Sequence, residues 1–250
     1  MKKHPDLKKR PLLVCIAFLL LLGSFGFAFP DRETGRPVIW IGDSRCVGIS
    51  KLCETDPTDI FIAEGEKSLY WFQNFAIPQL RRILDADPHY IVVIMLGVND
   101  CYNYAFGALE SYSSYVPVIN HLVMEYPDTI FCFCSVNPVD EKFHISKTIS
   151  TTYFHHDMDS FNPIIETFNS YLQSHCWAYY FNSYSYLFGN GFETTDGIHY
   201  TRDTYQKIYD YCRKELTHPL VIHMFLAPVL RRNRFCRLSS LSLNANRHAR

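Results

Sequence analysis

A three-layer α/β/α sandwich on a five-stranded parallel sheet is the fold class that this sequence predicts, and three observations predict it. Short apolar runs recur five times, at residues 38–42, 59–63, 90–96, 129–136 and 177–181. Stretches with apolar residues at helical spacing separate them. The run Tyr90-Ile91-Val92-Val93-Ile94-Met95-Leu96 shows no polar alternation, as a strand covered on both faces requires. Strands alternating with helices close most simply as a parallel α/β sheet with helices on both faces.

The first strand ends in Gly42-Asp43-Ser44, and a short helix follows to Glu54, closed by Asp56-Pro57. The second strand ends at Glu64-Gly65-Glu66. Residues 68–85 place Leu80, Ile83 and Leu84 at helical spacing. An interruption is expected near Pro78, because proline removes a helix hydrogen bond. The central strand stops at Gly97-Val98-Asn99-Asp100, and a helix over 109–126 is expected to bend or restart at Pro117. The fourth strand ends in Asn137-Pro138. Residues 139–158 lack periodicity and read as a long connection, a candidate cleft wall. A helix over 162–175 carries Pro163 near its start, where proline is tolerated, and leads into the fifth strand. A loop is then expected as far as Thr194-Thr195-Asp196-Gly197-Ile198-His199, before a last helix over 202–216.

The 250 residues, 48% hydrophobic and 20% charged, suffice for one α/β domain plus tails. The formal net charge of -1 conceals three zones. Residues 1–30 hold five Lys and Arg against one acid, and 219–250 hold six Arg and no acid. Residues 31–218 hold 13 Lys and Arg against 24 Asp and Glu. So acidic a body argues against nucleic acid as a partner. The basic start and the apolar run from Pro11 to Phe29 read as a targeting segment. Gly26 and Ala28 permit cleavage after Ala28. The run also approaches the ~20 residues that span a bilayer, so an uncleaved membrane anchor is the alternative. Either way the body is expected to be extracytoplasmic, secreted or anchored. The expected domains are 1–30 as signal peptide or anchor, 31–218 as the folded domain and 219–250 as a basic, disordered tail.

Nine cysteines show no metal-site spacing. Cys132 and Cys134 alternate on one strand face, as small core residues do, while Cys46 and Cys101 leave a disulfide conceivable. His155-His156-Asp157 reads as loop rather than a metal cluster, since its spacing does not suit one helix face. No metal and no cofactor is expected.

Parallel strands bring their carboxyl ends to one edge, where open α/β sheets bind ligands. Ser44 follows the first strand, Gly65 the second and Asn99 the third, while Asp196 and His199 lie beyond the fifth. These residue types suit acyl transfer. A serine nucleophile needs a base, which His199 can supply. That base needs an orienting carboxylate, and Asp196 stands three residues upstream across a tight turn. A developing oxyanion needs donors, and the Ser44 and Gly65 amides and the Asn99 side chain are candidates. Each block alone has a plainer reading: Asp43 or Ser44 as helix cap, Asn99-Asp100 as a cap after a strand, Asp196-Gly197 as a turn, His199 as a surface histidine. Their common edge favours the chemical one.

Together, Gly42-Asp43-Ser44, Gly65, Gly97-Val98-Asn99-Asp100 and Asp196-Gly197-Ile198-His199 resemble the four sequence blocks of the SGNH (GDSL-type) serine hydrolase superfamily. They stand in its order over about Val38 to Leu216, with loop lengths like those of a compact bacterial member. The resemblance implies a flavodoxin-like SGNH hydrolase fold. It also implies Ser44 as nucleophile, His199 as base, Asp196 as its orienting acid, and Gly65 and Asn99 as oxyanion donors. Arg45 stands where the GDSL name has leucine. It reads as a solvated helix-start arginine, with contact to an anionic substrate group as the alternative. The block around Gly65 is short and acidic. The activity expected is that of an exported serine esterase acting on O-acyl, above all O-acetyl, esters of a small molecule or glycan. The alternatives are a surface-anchored glycan-binding module with little turnover and an acyltransferase using the same triad. Tyr70, Trp71, Tyr102, Tyr104 and Phe106 are candidates for cleft lining, against a plainer reading as core.

Overall fold

A computed structural model of the chain describes residues 36–102, 109–140, 142 and 161–217. Strands β1 (Val38–Gly42), β2 (Ile60–Ala63), β3 (Ile91–Met95), β4 (Ile130–Cys134) and β5 (Tyr179–Phe181) form one sheet in the order β2-β1-β3-β4-β5. Every pairing is parallel, as the uninterrupted apolar runs predict. The helices are α1 (Ser44–Leu52), α2 (Leu69–Trp71), α3 (Ile77–Ala86), α4 (Val98–Tyr102), α5 (Leu109–Glu125), α6 (Phe161–His175), α7 (Ser183–Asn190) and α8 (Arg202–Leu216).

Successive strand side chains point to opposite faces, so each strand feeds two cores. Ile39, Ile41, Val92, Ile94, Phe131 and Phe133 pack with Leu80 of α3, Ile119 of α5 and Phe168 of α6. Val38, Trp40, Val93, Cys132 and Cys134 pack with Ile49 of α1, Leu187 of α7 and Ile208 of α8. Each such side chain contributes about 1.5–3 kcal/mol on burial, which makes both faces obligatory for the fold.

Register then sets the edge that matters. Gly42 pairs with Ala63 on one side and Met95 on the other, so β1, β2 and β3 end at one level. Beyond the ladder the Asp43 amide donates to the Met95 carbonyl at 3.3 Å, and the Glu64 amide donates to the Gly42 carbonyl at 3.1 Å. Strand order reverses at β1, whose neighbours are β2 and β3, and that reversal opens a crevice at the carboxyl ends.

Several elements differ from the sequence expectation. The interruption expected near Pro78 lies just ahead of it, as a π-helical turn over Phe72–Ala76 between α2 and α3. There the Ile77 amide donates to the Phe72 carbonyl, the i→i+5 pattern by which a helix absorbs an extra residue. Helix α5 runs through Pro117 without restarting. Two helices were not expected at all. One is α4, directly after Gly97. The other is α7, in the stretch expected to be loop, capped by the Asn182 side chain accepting from the Ser185 amide at 3.1 Å. Its sequence, Ser-Tyr-Ser-Tyr-Leu-Phe-Gly-Asn, alternates polar and aromatic residues and hides helical periodicity.

Cys46 and Cys101 are separate buried free thiols, so the conceivable disulfide is not formed. Cys132 and Cys134 are core residues, as read. The N-terminal apolar segment, the basic tail and His155-His156-Asp157 lie outside the described residues. Among those described, no helix is long and apolar enough to cross a membrane, and no group of three His, Cys, Asp or Glu could hold a metal ion.

Candidate active site

Ser44 opens α1 at the end of β1. Asp43 is the helix N-cap, its Oδ1 accepting from the Arg45 amide at 3.0 Å, and this fixes the half-buried Ser44 at the crevice. The glycine before them is required by close approach. A Cβ on Gly42 would stand 2.4 Å from the Cys46 Cβ and 2.6 Å from the Met95 carbonyl oxygen.

His199 arrives from the far end of the chain. Its Nε2 lies 2.9 Å from the Ser44 Oγ, and its Nδ1 lies 2.6 Å from the Asp196 Oδ2. With Nδ1 facing a carboxylate, that nitrogen carries the proton of the neutral ring, leaving Nε2 to accept from the serine hydroxyl. The turn that holds the pair is over-determined locally. The Asp196 Oδ1 accepts from the Ile198 and His199 amides at 2.9 and 2.7 Å, and Gly197 adopts φ 91°, a left-handed conformation suited to glycine. Burial raises the Asp196 pKa, but the hydrogen bonds from the His199 amide and ring and the Ile198 amide outweigh it. The carboxyl titrates below its ordinary value.

Gly65 and Asn99 come to the same edge from β2 and β3. The Asn99 Nδ2 donates to the Lys67 carbonyl at 2.8 Å, tying α4 to the loop that carries Gly65 and leaving one amide hydrogen for another acceptor. A Cβ on Gly65 would meet no atom within 4 Å, so its backbone lies open, and the positive φ of 61° in this turn falls on Glu66 instead. The acidic character of the block has a structural use. Glu64 binds Lys67 at 2.8 Å and accepts from the Trp71 Nε1 at 3.1 Å, closing the loop on itself.

Two more carboxyls lie near the site, Asp43 buried and Asp100 half-buried. Burial pushes Asp43 up to about 6, against the lowering influence of the Arg45 amide and guanidinium; its Oδ2 has no hydrogen-bond partner among the described residues. Burial also raises Asp100, which accepts from the Tyr115 hydroxyl at 2.7 Å and the Leu69 amide at 3.1 Å.

The structure corrects the reading of Arg45. It is neither solvated nor directed at a substrate: the residue is 4% exposed, and its guanidinium donates to the carbonyls of Ile198, Asn137 and Pro138. Sequence reasoning missed Asn137 and Tyr200 at this site, although Asn137-Pro138 at a strand's carboxyl end was a signal in the right place. Of the aromatic candidates, Trp71 is buried core and Tyr70 is exposed; the side chains of Tyr102, Tyr104 and Phe106 lie outside the described residues.

The model of a family described as GDSL-like lipase/acylhydrolase matches residues 60–212, more than half of the chain. That span includes Gly65, Asn99, Asp196 and His199 and begins after Ser44. No curated protein matches the sequence. Among solved structures, the chain is similar to a GDSL-like lipase from Bacteroides thetaiotaomicron, with 15% identity, a TM-score of 0.53, and coverage of 80% of this chain and 96% of that one. It is also similar to a member of the lipolytic protein G-D-S-L family from Veillonella parvula, with 15% identity, a TM-score of 0.50, and coverage of 72% and 97%. At such identity these two likenesses bear on the fold alone, a five-stranded parallel sheet with flanking helices, and the family follows from the matched span: the chain belongs to the GDSL-like lipase/acylhydrolase family.

Proposed function

We propose that the protein is an extracytoplasmic serine esterase that removes O-acyl groups, above all O-acetyl, from a small molecule or glycan. The observation that carries this reading is the unbroken chain Ser44 Oγ–His199 Nε2 at 2.9 Å and His199 Nδ1–Asp196 Oδ2 at 2.6 Å. Family membership supports ester hydrolysis in general; the choice of acetyl and of export rests on the sequence.

The geometry supports a two-step mechanism. The Ser44 Oγ attacks the acyl carbon while His199 Nε2 takes the hydroxyl proton, and the carbonyl oxygen becomes an oxyanion. Amides of Ser44 and Gly65 and the Asn99 side chain are the donors for it, each worth about 3 kcal/mol by comparison with measured donor deletions. Collapse breaks the bond to the alcohol oxygen, which leaves with the proton from His199. Water then attacks the acyl-Ser44, giving a proton to His199 Nε2, and collapse breaks the bond to the Ser44 Oγ, which takes that proton back as the carboxylic acid is released. Asp196 holds the ring and stabilises the imidazolium in both steps.

The test is hydrolysis of aryl esters of graded chain length and of acetylated sugars by the full chain. Acetate release is expected, with Ser44→Ala slower by roughly three orders of magnitude or more. Wild-type turnover in Ser44→Ala would remove the nucleophile assignment, and transfer of the acyl group to an added alcohol in preference to water would make the protein an acyltransferase.

A further inference from the structure

Arg45 is covalently next to Ser44 and has no part in the proposed mechanism, yet its side chain reaches the base's loop. The guanidinium Nε donates to the Ile198 carbonyl at 3.1 Å, Nη1 to the Asn137 carbonyl at 2.7 Å and Nη2 to the Pro138 carbonyl at 3.4 Å. Its Cζ sits 4.9 Å from the centroid of the Tyr200 ring, and the Tyr200 hydroxyl donates to the same Pro138 carbonyl. Asn137 is itself pinned, its Oδ1 accepting from the buried Ser183 hydroxyl at 2.6 Å. Arg45 thus joins the start of α1, the loop after β4 and the two residues that flank His199.

That junction matters because the two reacting side chains of the turn are themselves exposed, although Gly197 and Tyr200 beside them are buried. The side chains of His199 and Asp196 are 42% and 53% exposed, so little packing holds them against Ser44. Their mutual hydrogen bonds fix the turn internally but not its distance from α1. The ties to the body at its centre are Arg45 to the Ile198 carbonyl and the Asp140 amide to the Gly197 carbonyl at 2.9 Å. Burying a guanidinium is costly unless it is hydrogen-bonded, and here the planar fork spreads three of its N–H groups to three carbonyls on separate segments, a reach that the single point charge of a lysine ammonium does not match.

We infer that Arg45 is a positioning residue, an internal clamp that holds the His199 turn at hydrogen-bonding distance from Ser44. The inference deepens the proposed function and rests on its assignment of Ser44 and His199. Asp196 orients the ring within its own turn, and Arg45 sets where that turn stands.

The test compares the full-length wild type with Arg45→Met and Arg45→Lys by 4-nitrophenyl acetate kinetics and by heteronuclear NMR of the His199 ring nitrogens. In Arg45→Met, kcat is expected to fall roughly 100-fold, the scale of a small misplacement of reacting groups, with KM unchanged. The Nδ1 signal is expected to stay that of a protonated nitrogen held by Asp196, while the Nε2 signal shifts as it loses the Ser44 hydroxyl. Arg45→Lys, which keeps the cation but engages fewer carbonyls, is expected to fall between the two, and it is the variant to read if Arg45→Met does not fold. A folded variant with wild-type kcat and unchanged ring signals overturns the inference; so does a rise in KM alone, which would make Arg45 a binding determinant. If Ser44→Ala retains turnover, the nucleophile assignment fails instead, and the ring signals of wild type against Arg45→Met still decide whether Arg45 holds the turn.

Discussion

At the scale of single residues, the site rests on groups whose environments oppose one another. Asp196 is half-exposed and held ionised by hydrogen bonds, whereas Asp43, one residue before the nucleophile, is fully buried and titrates at about 6. A carboxyl whose folded pKa is raised contributes stability that is complete below its unfolded value of 3.8 and is lost as pH rises through about 6. Relative to Asp43→Asn, the wild type should therefore lose about 2 kcal/mol of unfolding free energy between pH 4 and pH 6.5, one pKa unit being about 1.36 kcal/mol. Urea unfolding of both proteins across that range measures it; a constant difference would mean that Asp43 does not titrate there. The motif residue thus carries a cost at neutral pH, and its return is the N-cap that places Ser44.

Among the elements, the β1–α1 junction is the least tolerant of change. Gly42 sits under Cys46 of α1 and beside the Met95 carbonyl, and no side chain fits between them. Gly42→Ala is expected to cost roughly 1–3 kcal/mol and to lower Tm by about 5 °C, read by calorimetry. Gly97, at φ 121°, does similar work at the β3–α4 junction, where a Cβ would stand 2.6 Å from the Phe168 ring. The five strands were legible because buried parallel strands are continuous apolar runs bounded by Gly, Asp and Asn. Helix α7 was not, because what makes Ser183–Asn190 helical is the Asn182 cap and the burial of Ser183, Tyr184 and Leu187 against the body. Propensity in so short a stretch yields to such contacts.

For the whole molecule, the last helix closes the fold onto the first strands. The Asp59 side chain, fully buried just before β2, accepts from Trp40 Nε1 at 2.9 Å, the Tyr209 hydroxyl at 2.7 Å and Arg213 Nη1 at 3.2 Å. Asp59→Ala leaves the buried Trp40 and Tyr209 donors without their acceptor and removes one of the two carboxylates that Arg213 holds, and is expected to destabilise by about 3–5 kcal/mol. Glu54 meets Arg202 between the same parts of the chain, but at 88% and 62% exposure the pair is screened by water, and Glu54→Gln should leave Tm unchanged. Thermal melts of the two variants side by side test whether buried connection or surface charge secures α8.

What the sequence by itself determined is the layered parallel sheet, the order of its chemistry-bearing blocks and the edge on which they fall. Those follow from local apolar runs, turn residues and the rule that parallel strands end together. Only the tertiary structure decided the fate of Arg45. Sequence neighbours made it a solvated helix-start residue, but its partners lie 92 and 153 positions away, in loops whose approach depends on packing across the sheet. Hydrogen bonds to backbone carbonyls leave no trace in residue identity, since every residue has a carbonyl, and so a clamp made of them becomes visible only once the chain has folded.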